Sequence, residues 1–129
     1  MIRHEIQPAS LADPRPRYNQ GLLTEGSRLL FIAGQTASGR DGAVIGKGDI
    51  DRQAEQVFEN LLAVLSAGGA TIDNLVMTTT YLTDIGYREA YNRVRLRYYK
   101  ASPPTSTLVV VKALGHADFL IEIDGIAVL

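Results

Sequence analysis

The sequence predicts an α+β fold, a two-layer sandwich in which a sheet of mixed direction carries two helices on one face. Three observations support this. Ala54, Val57, Phe58, Leu61, Leu62 and Leu65 recur at helical spacing. Leu75 to Leu82, L-V-M-T-T-T-Y-L, is rich in β-branched residues and reads as a strand. Near the C-terminus Ile121 and Ile123 alternate with Glu122 and Asp124, the period of a half-buried strand.

Taken in chain order, the N-terminal stretch is punctuated by Pro8, Pro14 and Pro16 and reads as irregular, with an additional strand left open there. Leu29 to Ala33, L-L-F-I-A, is a short apolar run that ends at Gly34 and reads as a buried strand. Arg40 to Gly48 carries Gly42, Gly46 and Gly48 and reads as a turn-rich loop or hairpin. The first helix follows, capped by Asp49 or Asp51, because a carboxylate accepts from free N–H groups at a helix start. Gly68-Gly69 ends it, since glycine enters the left-handed region at little cost. After the strand at 75–82, a second helix is expected from about Gly86 to Lys100, started by Thr83 or Asp84. Tyr87, Ala90, Tyr91, Val94 and Tyr98 form its apolar stripe. Arg88, Arg93, Arg95 and Arg97 line its other sides, and Glu89 can pair with Arg93 at i, i+4. Pro103-Pro104 forbids continuation. Ser106–Val111 and Phe119–Val128 read as two final strands around a turn at Gly115–Asp118. A sheet with helices on one face leaves its other face bare. These strands are apolar enough that other copies of the chain are expected to cover it.

The chain has 129 residues, the size of one domain spanning 1–129. Apolar residues make up 46% and charged residues 21%, the balance of a soluble globular protein, and a cytoplasmic location is expected. No run is long enough for a signal peptide or a membrane span. Cysteine is absent, which excludes disulfide scaffolds, thiolate metal sites and cysteine nucleophiles. His4 and His116 lie far apart, without the spacing of a metal-ligand pair, so neither metal nor cofactor is expected. The net charge of −1 offers no electrostatic funnel for nucleic acid.

Candidate chemistry is thinly spread. Glu122 and Asp124 share one face of the last strand, roughly 7 Å apart. Such a carboxylate can serve as a general acid or base. Periodicity alone favours a plainer role, a solvated face or a partner for an arginine of the second helix. In P-P-T-S-T-L, residues Pro103 to Leu108, hydroxyls follow directly on two prolines and can hold an anion or a water, or simply satisfy the start of a strand. Tyr18 with Asn19 and Gln20 either contacts a small molecule or packs a turn against the core. Asn92, beside the tyrosine stripe, is a ligand contact or a solvent-facing helix residue.

Together these segments resemble the RidA/YjgF family of enamine/imine deaminases, also labelled endoribonuclease L-PSP. R-Y-N-Q-G at 17–21 resembles the family's Tyr-Ser-Gln-Ala arm, matching at Tyr18 and Gln20 and departing at Asn19 and Gly21. L-F-I-A-G-Q at 30–35 resembles its Gly-Gln strand, N-L-L-A-V-L and Y-L-T-D its middle, and Y-N-R-V at 91–94 its asparagine segment. I-E-I-D-G-I-A resembles the closing Glu-Ile-Glu-Ala-Ile-Ala signature. The resemblance implies a chorismate-mutase-like sandwich, a homotrimer whose sheets form a central barrel, and clefts between neighbouring subunits that take a small-molecule substrate. It implies Glu122 as the catalytic acid–base, with Tyr18, Gly34, Asn92, Thr105 and Thr107 around the substrate.

One departure stands out. Where the family motif Pro-x-Arg-[Ser/Thr] carries the arginine that grips a substrate carboxylate, this chain has Thr105. A threonine cannot make that charged fork, and losing one such contact costs about 1.5–3 kcal/mol. The sequence thus reads as an arginine-lacking branch with an altered substrate. Amino-substituted ring-cleavage acids are candidates, and Arg17 is a candidate replacement cation. Two alternatives stand beside the deaminase: a non-catalytic trimeric module that binds metabolites or proteins, and a ribonuclease. The ribonuclease is disfavoured by the charge balance and by the absence of a histidine pair.

Overall fold

The computed structural model describes residues 2–100 and 102–129. The chain opens with β1 (Ile2–Ile6), which pairs antiparallel with β2 (Gly21–Glu25) as a separate two-stranded ribbon. The N-terminal stretch is therefore not irregular throughout. In I-R-H-E-I only the end residues are apolar, so no period-two signal marks the strand. Long-range contacts hold it instead. The Arg3 guanidinium donates to the carbonyls of Asp73, Leu75, Ser102 and Pro103 at 2.8–3.0 Å, which moors the ribbon to the main body.

The main body follows as β3 (Leu29–Thr36), α1 (Ile50–Ala67), β4 (Leu75–Leu82), α2 (Arg88–Tyr98), β5 (Thr105–Val110) and β6 (Ile121–Val128). Its sheet runs β3-β6-β4-β5. The β3–β6 and β6–β4 pairs are antiparallel and β4–β5 is parallel. A parallel pair needs a crossover, and α2 supplies it. Of the loop or hairpin expected at 40–48, the structure shows a loop, with one bridge from Ser38 to Val44.

Helix α1 forms as its spacing predicts. Asp49 caps it by accepting from the Arg52 N–H, and Ala54, Val57, Phe58, Leu61 and Leu65 are buried. Gly68 ends the helix at φ −83°, and the left-handed residue is the next one, Gly69, at φ +79°. Buried Gln53 seals the chain beyond the helix. Its amide donates to the carbonyls of Gly46 and Asp118, and its Oε1 accepts from the Leu120 N–H. That last bond holds Leu120 outside β6, so the final strand begins at Ile121 rather than Phe119.

Helix α2 is shorter than its sequence suggests. Asp84 caps a 3-10 turn over Ile85–Tyr87 by accepting from the Gly86 N–H, and the α-helix begins only at Arg88. Ala90, Tyr91 and Val94 are buried as expected, but so is Arg95. The Glu89–Arg93 pair does not form. Arg93 reaches Asp51 at 3.2 Å and Arg97 reaches Glu55 at 2.8 Å, both on α1. The two helices lie side by side, and the acids across the interface outcompete the one on the same helix.

Side-chain alternation divides the sheet. One face turns Thr78, Thr80, Leu82, Ile121 and Ile123 into the core under the helices. The other carries Phe31, Ile126, Met77 and Thr105 in one row and Asp124, Thr79 and Thr107 in another. Phe31 is 70% exposed there, and Leu29, Met77 and Val109 are exposed with it. This is the bare apolar face anticipated above.

Candidate functional site

The open face holds the acids. In the register of β6, Glu122 lies between Thr36 of β3 and Tyr81 of β4. One extra residue between Ile32 and Gln35 bulges β3, and Gly34 sits in that bulge. A Cβ at Gly34 would collide with the Glu122 carboxylate. A side chain at this position would have to push the Glu122 carboxylate aside, whereas the glycine leaves its backbone beside a half-buried acid. Glu122 has no hydrogen-bond or ion-pair partner among the described residues. Asp124, two residues on, is fully engaged. Its Oδ2 accepts from the Tyr81 hydroxyl at 3.1 Å and its Oδ1 from the Thr79 N–H at 3.2 Å. The bond to Asp124 raises the Tyr81 phenol above its ordinary pKa of 10.0. Of the two carboxylates that strand alternation presents, only Glu122 is free for chemistry.

A second group of residues gathers at the other edge of the sheet, on the helix-covered face. Asn19 is buried, pairs with Thr105 and donates to the Pro103 carbonyl at 2.7 Å, which fixes the preceding Tyr18 against β5. Tyr18, Ile85, Arg88, Arg95, Ser106 and Leu108 line a cavity of about 260 Å³. Arg95 is 4% exposed. Its guanidinium carbon lies 4.5 Å from the ring centroid of Tyr91 and 5.8 Å from that of Tyr18. Its Nη1 donates to the Tyr91 hydroxyl at 3.1 Å and approaches Ser106 Oγ at 3.4 Å. The Tyr91 hydroxyl also meets Thr80 Oγ1 at 2.8 Å, so helix and sheet fix it together.

The structure thus distributes the expected residues over two places. Gly34 and Glu122 meet on the open face. Thr107 lies on the same face two strands from Glu122, level with Thr79 and Asp124. Tyr18 belongs to the cavity around Arg95. Arg17 and Asn92 line an adjoining cavity with Ile85, Gly86, Arg88 and Glu89. Thr105 occupies the β5 edge, where its hydroxyl donates to the Val76 carbonyl at 2.8 Å. Ser106 is one of the P-P-T-S-T-L hydroxyls that the sequence offers for an anion, but its pattern puts Arg88 and Arg95 on the outer sides of the second helix. The signal for Arg95 was present: it lies four residues beyond Tyr91, on the stripe that α2 buries.

Comparison with known proteins agrees with this architecture. Residues 9–129 match the family model described as Endoribonuclease L-PSP. The chain is 34% identical to Protein DfrA of Myxococcus xanthus, over 98% of this chain and 99% of that one. It is 28% identical to the human 2-iminobutanoate/2-iminopropanoate deaminase, over 99% and 91% of the two chains. Among solved structures, a Yersinia pestis protein described as YyfB of the conserved Rid protein family superposes with a TM-score of 0.93. That match is at 31% identity and covers 100% of both chains. Two helices on one face of a mixed sheet, in this strand order, are the RidA-like form of the chorismate-mutase-like sandwich. The chain belongs to the endoribonuclease L-PSP family, the RidA/YjgF proteins that its motifs resemble.

Proposed function

We propose that the protein is an enamine/imine deaminase in which Glu122 handles protons and water. The observation that carries this reading is the Glu122 carboxylate, half-buried and unpartnered beside the Gly34 backbone. An enamine takes a proton at carbon and gives one up at nitrogen to become an imine. Water adds to the C=N carbon to give a carbinolamine, whose collapse expels ammonia and leaves a carbonyl. Each step moves a proton, and an acid held near the reacting carbon can relay it, a contribution of about 10²–10⁴-fold. The human relative, named for 2-imino acid deamination, supports the same chemistry here.

Within one protomer Glu122 lies on the open face of the sheet, whereas Tyr18 lines the cavity around Arg95. Gly34 belongs to one edge strand, β3, and Tyr18 packs on the other, β5, roughly 14 Å away across three strand spacings. A ring of three copies that sets the β5 edge of one beside the β3 edge of the next would join the two halves and cover the apolar face. The cleft between subunits is then the substrate site, with Tyr18, Asn92, Thr107 and Arg17 supplied around it. Thr105 gives no charge to that cleft, and its hydroxyl is already spent on the Val76 carbonyl, so the substrate is held differently from a 2-imino acid clamped by an arginine at that position.

Ammonia release from freshly generated 2-aminoacrylate and from aminomuconate, with wild type and Glu122→Gln, tests the reading. Wild type should release ammonia from at least one, and Glu122→Gln should lose about a hundredfold or more. Equal, background-level rates for both proteins would overturn it. A second reading, a metabolite-binding module without turnover, is favoured by the uncharged Thr105 and would appear as ligand heat without ammonia. Against a ribonuclease, Arg93 and Arg97 on α2 are already paired with Asp51 and Glu55.

A further inference from the structure

We propose that Arg95 is the anion anchor of this chain, holding the carboxylate of a small, flat, unsaturated substrate in the cavity beside Tyr18. The inference rests on the deaminase reading of the same cleft and names how its substrate is gripped.

A guanidinium as buried as Arg95 is ordinarily paired with a carboxylate. Its neighbours on α2 are paired even though they are exposed, Arg93 with Asp51 and Arg97 with Glu55. Arg95 has no ion-pair partner among the described residues. What surrounds it is neutral: the Tyr91 and Tyr18 rings, the Tyr91 hydroxyl and Ser106 Oγ. Its Nε is buried with no hydrogen-bond partner among the described residues. Aromatic faces attract a cation but satisfy none of its in-plane donors. The guanidinium therefore keeps unused donor capacity at the wall of a cavity, and a carboxylate is the group whose two oxygens match that fork.

The rest of the cavity agrees with such a ligand. Arg88, at the rim, also has no ion-pair partner among the described residues, and it is shared with the adjoining cavity that Arg17 lines. Among the described residues, the one acid lining either cavity is Glu89. Ile85 and Leu108 supply an apolar wall, Tyr18 an aromatic face and Ser106 a further hydroxyl. A volume of about 260 Å³ suits a molecule of a few carbons. The positive charge missing from the β5 edge at Thr105 is thus present one layer away, on α2.

Titration calorimetry on the full chain tests this with pyruvate, a 2-oxo acid of the kind the reaction would leave, and with its neutral methyl ester. Wild type should bind pyruvate at least about tenfold more tightly than the ester. Arg95→Gln should weaken pyruvate binding about ten- to a hundredfold and leave the ester unchanged. Arg95→Lys, which keeps the charge without the fork, should fall between. Wild-type affinity for pyruvate in Arg95→Gln, or no preference for acid over ester, would overturn the proposal. If circular dichroism finds the Arg95 variants unfolded, the wild-type protein decides: pyruvate should shift the Arg95 Nε–H resonance, and an unmoved resonance overturns the proposal. An acid from a neighbouring copy already seated on Arg95 would give that negative result. The two readings fail separately. Arg95-dependent pyruvate binding without Glu122-dependent ammonia release keeps the anchor and removes the reaction. Ammonia release that needs Glu122 but ignores Arg95 does the reverse.

Discussion

The two faces of one sheet treat their side chains in opposite ways. Under the helices, Ile121, Ile123 and Leu82 are fully buried, and the polar Thr80 finds its partner in the Tyr91 hydroxyl. On the open face, Phe31, Met77 and Val109 face solvent, and Glu122 stands unpartnered beside Gly34. The covered face is completed by its own chain. The open face carries apolar surface that only another molecule can bury, and the acid with no structural task sits there. The fully buried side chains and the unpartnered acid stand on different sides of the same strand, β6, by a period of two residues.

The contrast can be broken most directly with two phenylalanines. Phe58→Ala, on α1 beneath the covered face, should cost about 3–5 kcal/mol in urea unfolding, because the ring is wholly buried and stacks on Tyr98 at 4.8 Å. Phe31→Ala should leave protomer stability within about 0.5 kcal/mol. Its cost should appear in assembly, as a fall in sedimentation coefficient if copies cover the face. Similar unfolding penalties for both variants would abolish the distinction. A smaller loss is expected from Tyr91→Phe, which strips the hydroxyl shared by Thr80 and Arg95. About 1–3 kcal/mol should disappear from the urea midpoint, since buried donors are left unmet. Loss of only a few tenths would mean that the covered face does not depend on its polar bonds.

The open face has a pH signature of its own. The phenol of Tyr81 is raised because it donates to the Asp124 carboxylate, so folding favours its protonated form. The stabilisation from that bond is fully present below the ordinary phenol value of 10.0 and is lost as pH rises through the higher folded value. Asp124→Asn should bring the Tyr81 titration, followed by its ring resonances, back toward 10.0. An unshifted titration would mean that the bond does not persist in solution.

Much of this was legible in the sequence because local patterns and tertiary demands agree. The α1 stripe, a carboxylate cap at Asp49 or Asp51 and the β4 boundaries follow from spacing and composition, and the alternation in β6 gives the faces of Ile121, Glu122, Ile123 and Asp124. What escaped depends on distant partners. β1 carries no alternation and is held by Arg3 reaching residues some seventy to a hundred positions away. Arg95 was assigned to an outer face because charge implies solvent, yet its place four residues after Tyr91 puts it inside. The contact between Gly34 and Glu122 joins strands far apart in sequence, through a bulge that no local signal announces.

The smallest effect should come from the outer arginines of α2, and its smallness is informative. Arg97 and Glu55 are paired at 2.8 Å, but both side chains are more than a third exposed. Coulomb attraction there works against water and salt, and two long side chains must be ordered to gain it. Arg97→Ala should therefore cost about 0.2–1 kcal/mol in urea unfolding at low salt, and the difference from wild type should shrink as ionic strength rises. Arg95→Ala, two residues away on the same helix, should be insensitive to salt, because its contacts are aromatic rings and hydroxyls in a buried setting. Parallel salt responses in the two variants would place both guanidinium groups in the same solvated environment, and the division between an inner and an outer face of α2 would fail.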